Sequence, residues 1–475
     1  MGIGLAHETW QLPAGERMGM SSVTLTQALS PRLDAGLRAY TATGGERGGF
    51  ITLGAVAQGR QALYGPLSLE GEVFVGGGAG ASGLELAGGG LMLRSALGLG
   101  YELPGGTVLR AGWSRVRFPS GTINSGQPYV GLSVPFDVLS RGALRLDSGR
   151  GDAQPGTQYA LDETAHHKHQ MLVALRRARV DAGVQTTGGA PQTDLGLVGV
   201  EWRTFLHPNR YVVLQTEAAY QGTSAGYMDI LGGGGLYTQL APSLAVYADV
   251  MAGGGGGGAL NTDSGKLLNT RAGAQWAFGR GWLLDASVSR MRAMDGGFAA
   301  NTVGLRLGHQ FGGAGVGDST PPGALQLHDL RLRLASQRYS GTGPWRTSTG
   351  ADVGLVGAQL DYFVTPNWYL SGQGLAAATG GAGAYMTGQL GAGGRMSLSA
   401  KTFVEAEALV GAAGGGGLST GSGALGQMNL NLGFQLRPGL ELLLSAGRAQ
   451  SSSGGFKVNV LGVGVAYRLG VIGRN

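Results

Sequence analysis

Cysteine is absent from the 475 residues, which removes disulfides, thiolate nucleophiles and cysteine-ligated metal centres from consideration. Charged residues are scarce at 13%, and the formal charge of +6 is dispersed with no basic run. A nucleic-acid backbone is gripped by a concentrated basic surface, so this dispersal argues against nucleic-acid binding. Long apolar runs are missing too. Charge-free stretches such as 230–248 are broken by Gly, Pro, Thr and Gln, which excludes a transmembrane helix. The amino terminus, Met1-Gly2-Ile3-Gly4-Leu5, has no basic region ahead of an apolar core, so no signal peptide is visible and the chain is expected to be a mature or trimmed product.

Glycine, by contrast, accounts for 94 of the 475 residues. A disordered chain this rich in glycine would be poor in branched apolar residues, yet Val, Leu and Tyr recur throughout in short alternating runs. The glycine therefore belongs to folded structure.

The chain repeats itself. Asp194-Leu195-Gly196-Leu197-Val198-Gly199 returns as Asp352-Val353-Gly354-Leu355-Val356-Gly357, an offset of 158 residues. The same offset relates His207-Pro208-Asn209 to Thr365-Pro366-Asn367, Asp249 to Glu407, and Gly296-Gly297-Phe298 to Gly454-Gly455-Phe456. A more diverged copy lies upstream, with Pro31 matching Pro208 and Glu72 matching Asp249 at an offset of 177. The pattern predicts three units, at 2–136, 167–311 and 328–469, joined by linkers at 137–166 and 312–327.

Within a unit the hydrophobic period is two. Along 268–278, Leu268, Thr270, Ala272, Ala274, Trp276 and Phe278 share one face, while Asn269, Arg271, Gly273 and Gln275 share the other. Short turns on Pro or Gly alternate with longer Gly/Ser/Asn/Asp connections, giving eight antiparallel strands per unit. Phe205, Trp276, Phe278, Trp282, Phe363 and Trp368 gather beside the short turns, as an interfacial aromatic girdle would.

Taken with the last strand, whose Val463, Ala466, Tyr467, Arg468 and Leu469 combine alternating apolar residues with a late aromatic, this pattern resembles the bacterial outer-membrane β-barrel class. The resemblance covers nearly the whole chain and implies a Gram-negative outer-membrane location, contact with outer-membrane lipid and lipopolysaccharide, and recognition by the barrel-insertion machinery. The last strand departs from the class pattern in being followed by residues 470–475 rather than ending on an aromatic.

Backbone in lipid cannot be left unpaired, so the strands must close. The expected fold is all-β, a transmembrane antiparallel barrel of about 24 strands and on the order of 45 Å across, because single barrels of 22 to 26 strands are familiar. Three tandem eight-stranded barrels are the alternative, favoured by the length of the linkers.

Candidate site residues follow from the repeat. Glu72, Asp249 and Glu407 share an inward face with Glu70, Tyr247 and Glu405, and in one large barrel the first three would form a carboxylate ring facing cations or sugar hydroxyls. The plainer reading is structural ion pairing with inward bases such as Arg271 or Arg306. Arg115, Arg290 and Arg448 fall on the lipid face at the loop end of their strands, where a guanidinium could snorkel, clamp a lipopolysaccharide phosphate or simply remain a solvated rim charge. His166, His167 and His169 lack partnering ligands at metal spacing, and the Gly-x-Ser-x-Gly-like segments at 222–226 and 417–421 are chance products of glycine richness. No catalytic constellation, metal or cofactor is expected.

The function expected is an outer-membrane pore or conduit for a polymer or small solutes, with a plug or periplasmic partner to stop leakage. The alternative is a structural or adhesive scaffold that self-assembles through repeated barrel faces. A soluble solenoid or propeller is the third reading.

Overall fold

Strand β13 (Leu244–Gly256) shows how the sequence builds the sheet: from Leu244 to Ala252, Ala245, Tyr247, Asp249 and Met251 are buried while the residues between them are exposed. An apolar exterior over a polar interior reverses the order of a soluble globule. The computed structural model describes residues 2–80, 83–104, 106–135, 168–279, 281–311, 325–343 and 352–474.

The first unit contains β1 (Gly2–Gln11), β2 (Arg17–Ser30), β3 (Leu33–Gly44), β4 (Ile51–Tyr64), β5 (Leu67–Ala79), β6 (Met92–Glu102), β7 (Val108–Arg117) and β8 (Asn124–Pro135), with a short helix, α1 (Gly83–Ala87), between β5 and β6. The second contains β9 (Lys168–Val180), β10 (Leu195–His207), β11 (Arg210–Gln221), β12 (Met228–Ala241), β13, β14 (Lys266–Phe278), β15 (Trp282–Ala293) and β16 (Ala299–Phe311). The third contains β17 (Leu325–Gly343), β18 (Val353–Thr365), β19 (Trp368–Thr379), β20 (Met386–Ser397), β21 (Thr402–Gly414), β22 (Ala424–Arg437), β23 (Leu440–Ser451) and β24 (Lys457–Arg474). Among the described residues no helix is long and apolar enough to cross a membrane, which says nothing against crossing by strands.

Every neighbouring pair of strands is antiparallel, and the last strand of each unit returns to its own first strand. Leu132 lies opposite Leu5, Leu305 opposite Leu175, and Val465 opposite Leu334. The expectation of one barrel of about 24 strands is thereby overturned: the chain forms three separately closed barrels of eight strands, β1–β8, β9–β16 and β17–β24. A single residue pair, Phe311 with Gly473, ties β16 to β24.

The physical reason lies in the size of an eight-stranded cylinder, whose inward side chains just meet across the middle. Each unit gains a ladder without edges and a packed interior from its own residues, over short loops, without waiting for the other two. The third unit's paired strands run from Leu325 to Arg474, beyond the 328–469 read from the repeat. The 137–166 segment lies wholly outside the described residues.

The short turns, among them Pro31-Arg32, Gly65-Pro66, Pro208-Asn209, Pro242-Ser243, Pro366-Asn367 and Pro438-Gly439, sit at one end of the barrels. The longer connections (45–50, 222–227, 257–265, 380–385 and 415–423 among them) sit at the other.

At that loop end the barrels pack as a ring. The third strand of each unit meets the fifth strand of another: β3 meets β13, β11 meets β21, and β19 meets β5. Such a head-to-tail interface closes after three copies, giving a pseudo-threefold trimer within one polypeptide. Small residues let the backbones approach. A Cβ on Gly77 would lie 2.6 Å from the Ala377 carbonyl oxygen, and one on Gly254, the position equivalent to Gly77, would lie 2.6 Å from that of Ala42. At the third interface a Cβ on Gly414 would lie 2.7 Å from the Gly226 Cα. In a bilayer, where no hydrophobic force separates barrel from lipid, such close packing is what associates spanning elements. A backbone bond, Gly48 N–H to the Asp263 carbonyl at 2.7 Å, joins loops of the first and second units.

Candidate functional site

The inward face of each barrel is polar at mid-height because period-two strands with one apolar face direct the other to the lumen. In the second barrel, Glu201 and Arg203 on β10 face Asp249 on β13, Arg271 on β14, Asp285 on β15 and Arg306 on β16. Arg271 donates through Nη1 to Glu201 Oε2 at 2.5 Å and through Nη2 to Asp249 Oδ2 at 2.6 Å. Arg203 bonds Glu201 at 2.5 Å and Asp285 at 3.1 Å, and Arg306 pairs with Asp285 at 3.1 Å. Strands β10 and β14 stand on opposite walls of the cylinder, so the Arg271–Glu201 pair crosses the lumen.

The other lumens carry the same device at different addresses. In the first, Arg94 on β6 reaches Glu8 on β1 at 2.9 Å, while Glu72 is clamped between Arg38 and Arg94 and accepts from Gln58 at 2.7 Å. In the third, Arg331 on β17 bridges to Glu405 on the opposite strand β21 at 2.6 Å, to Asp361 at 2.7 Å and to Glu441 at 3.1 Å. All these guanidinium groups have almost no solvent exposure.

Aromatic side chains lie above this level in all three lumens and below it in the second and third. Towards the loops of the first barrel, Trp10, Phe50 and Phe118 pack edge to face at ring separations of 5.9 to 6.2 Å. Tyr227 and Phe298 occupy that level in the second barrel, and Tyr339, Tyr385 and Phe456 in the third. Towards the short turns, Lys168 stands 4.0 Å from the Phe205 ring and Arg395 stands 3.4 Å from that of Phe403. At mid-height each lumen is occupied by its own ion-paired side chains.

The structure places the predicted residues as follows. Glu72, Asp249 and Glu407 are all inward, but in three different lumens, so the ring imagined for a single large barrel does not form. Asp249 accepts from Tyr211 at 2.6 Å as well as from Arg271. Glu407 accepts from Gln359 at 2.5 Å and Asn429 at 3.0 Å, with Arg333 at 3.5 Å. Glu70 pairs with Arg110 at 2.9 Å, Tyr247 donates to Asp285 at 2.7 Å, and Glu405 binds Arg331.

On the outside, Arg115 lies 3.3 Å from Asn124, Arg290 forms a two-bond pair with Asp181 at 2.5 and 2.7 Å, and Arg448 is exposed. His169 is buried on β9 with Nδ1 3.1 Å from Thr204 Oγ1. His166 and His167 lie outside the described residues. Among the described residues no group of three or more His, Cys, Asp or Glu side chains is arranged to hold a metal ion.

Part of the aromatic girdle is corrected. Trp276, Phe278 and Trp368 do face outward and are exposed, but Phe205 and Phe363 are buried in the lumens. Sequence reasoning also passed over Glu8, Arg94, Arg203, Arg331 and Glu441. Their signal was available in the alternation, since each falls on an inward position of its strand.

The exterior at mid-height is a belt of exposed apolar side chains, with Leu97, Val288, Val303 and Leu430 each more than 60% exposed. In water such a surface would aggregate; in hydrocarbon it is the solvent-facing side. The chain resembles bacterial outer-membrane β-barrel proteins at the level of the class. No family model matches it, and no curated protein does. Among solved structures, it is similar to the siderophore receptor PirA from Pseudomonas aeruginosa, with 10% identity over 98% of this chain and 79% of that one and a TM-score of 0.30. Pseudomonas aeruginosa OpdQ is matched at 11% identity over 99% of this chain and 96% of that one, with a TM-score of 0.23. A de novo designed transmembrane β-barrel is matched at 13% identity over 30% of this chain and 94% of that one, with a TM-score of 0.21.

Proposed function

We propose that the chain is a non-catalytic structural module of the Gram-negative outer membrane: three filled barrels locked into one ring, serving as an anchor and display platform and not as a conduit. The observation that carries this reading is the set of guanidinium–carboxylate pairs joining opposite walls, Arg271–Glu201 and Arg331–Glu405. A solute passing through either barrel would have to part a buried ion pair, which costs several kcal/mol per ion left uncompensated. The aromatic layers above and below would have to open as well.

The ring supports the display role. It gathers the loop ends of all three units on one side, where the connections 45–50, 222–227, 257–265, 380–385 and 415–423 rise together. A partner, or a second copy of the chain, would meet a rigid three-lobed surface there, and repeated faces allow repeated contacts. The insertion machinery of the outer membrane would deliver the chain to this site.

Planar-bilayer recording tests the reading. Folded protein is expected to insert without stepwise conductance, and reproducible single-channel steps from correctly folded material would overturn it.

A further inference from the structure

A compact basic patch occupies the lipid-facing side of the second barrel at its loop end. Across three adjacent strands, Arg290 on β15 lies opposite Asn301 on β16, which lies opposite Arg179 on β9. Arg292 follows two residues above Arg290 on the same outward face, and Arg177 two residues below Arg179. From strand spacing and rise, Arg290 and Arg179 stand about 10 Å apart and Arg290 and Arg292 about 7 Å apart.

Two acids balance part of this charge. Asp181 takes Arg290 at 2.5 Å and Asp194 takes Arg177 at 3.7 Å. Arg179 and Arg292 are exposed and form no ion pair among the described residues. The patch therefore keeps two uncompensated guanidinium groups at the edge of the apolar belt. Directly below them run Val288, Val303, Leu305 and Leu175, all more than half exposed.

Such an arrangement, cations at headgroup height over a strip of bare hydrocarbon-facing side chains, matches an amphiphile with more than one anionic group and several acyl chains. We infer that this face binds a phosphorylated, multiply acylated glycolipid of the outer leaflet, with Arg179 and Arg292 gripping phosphate by charge-assisted hydrogen bonds and Asn301 between them offering a neutral donor to the sugar. This deepens the proposed outer-membrane role and rests on it. The equivalent row in the third barrel reads Arg448, Asn459 and Ser340, and in the first Arg115 lies opposite Gly126, so neither repeats the full cluster.

The test titrates the full-length folded chain in detergent with lipid A, phosphatidylglycerol and inorganic phosphate, reading bound lipid by native mass spectrometry. Lipid A is expected to bind most tightly. Arg179→Ser with Arg292→Ser is expected to weaken lipid A about tenfold or more, as loss of two charged contacts would, and Arg448→Ser to leave it unchanged. Unchanged affinity in the double variant, or phosphatidylglycerol or free phosphate binding as tightly as lipid A, would overturn the inference. If the double variant fails to show the heat-dependent gel mobility of a folded barrel, each single variant is read instead, with an expected loss of about threefold, and no loss in either overturns the inference. A chain that is folded, membrane-inserted and non-conducting yet indifferent to lipid A defeats this site alone and leaves the scaffold reading standing.

Discussion

Arg271 and Glu201 reach each other from opposite walls of the second barrel, Nη1 to Oε2 at 2.5 Å, with both side chains shut off from solvent. The pair measures how narrow the lumen is, because two side chains suffice to span it. It also predicts an asymmetry in mutational cost. Arg271→Met takes from Asp249 its ion partner, leaving it the Tyr211 hydroxyl, while Glu201 keeps Arg203 and Arg306; with one carboxylate uncompensated, the barrel is expected to lose about 3–5 kcal/mol in urea unfolding. Adding Asp249→Asn to Arg271→Met restores the charge balance of the lumen and is expected to recover much of that loss. If the double variant is no more stable than the single one, the pairs are not the matter that fills the lumen.

The apolar belt yields a second expectation. Leu305 is 58% exposed at mid-barrel, so in water its replacement by Arg would be nearly neutral. Facing hydrocarbon, Leu305→Arg is expected to cost about 2–4 kcal/mol of stability in bilayers. Unfolding of the two proteins from lipid vesicles makes the comparison, and equal stability would argue that the belt does not meet lipid.

The barrels' association can be probed at Gly254. A Leu there places its Cβ against the Ala42 carbonyl oxygen, so the first and second units must move apart. Gly254→Leu is expected to cost about 1–3 kcal/mol and to enlarge the detergent-solubilised particle in small-angle scattering, while each barrel keeps its β-structure by circular dichroism.

Acid should loosen one loop before the barrels. Glu16, between β1 and β2, receives two bonds from Arg47 at 2.6 and 2.8 Å. The Arg47 hydrogen bond holds the Glu16 carboxyl below its ordinary range. Since folding lowers that value, the contribution is complete above the ordinary carboxylate range and is lost as pH falls through the lowered one. Hydrogen exchange in segments 12–16 and 45–50 is expected to speed up on acidification beyond the intrinsic trend, and Glu16→Gln to abolish that excess.

How much of this could be read in the chain follows from what a period of two encodes. It assigns faces, so Asp249, Tyr247 and Glu405 fall on the buried side of their strands and Trp276 and Trp368 on the exposed side of theirs. It does not encode closure, because Leu305 alternates identically whether its neighbour is Leu175 of its own unit or a strand of another. The repeat drew attention to the acids that recur, Glu72, Asp249 and Glu407. Their bases wander: Arg38 and Arg94 answer the first, Arg271 the second, and Arg333 with Gln359 and Asn429 the third. Arg203 in the second unit is replaced by Asp361 at the equivalent place in the third, with Arg331 supplying the opposite charge from β17. A lumen needs neutrality and volume, and many strand addresses satisfy both. Phe205 and Phe363 were misread for a related reason, since beside a turn an aromatic can cap the lumen as readily as the membrane interface.

Closure itself is open to a direct test, helped by the absence of native cysteine. Leu175 and Leu305 are opposed across β9 and β16 at the seam of the second barrel, and both point outward. Cα atoms so paired lie within disulfide range. With Leu175→Cys and Leu305→Cys in one chain, mild oxidation of the folded protein in membranes is expected to form an intramolecular disulfide in high yield. If both thiols remain free and reactive to maleimide while the barrel is folded, the seam does not exist and the three-barrel architecture is contradicted.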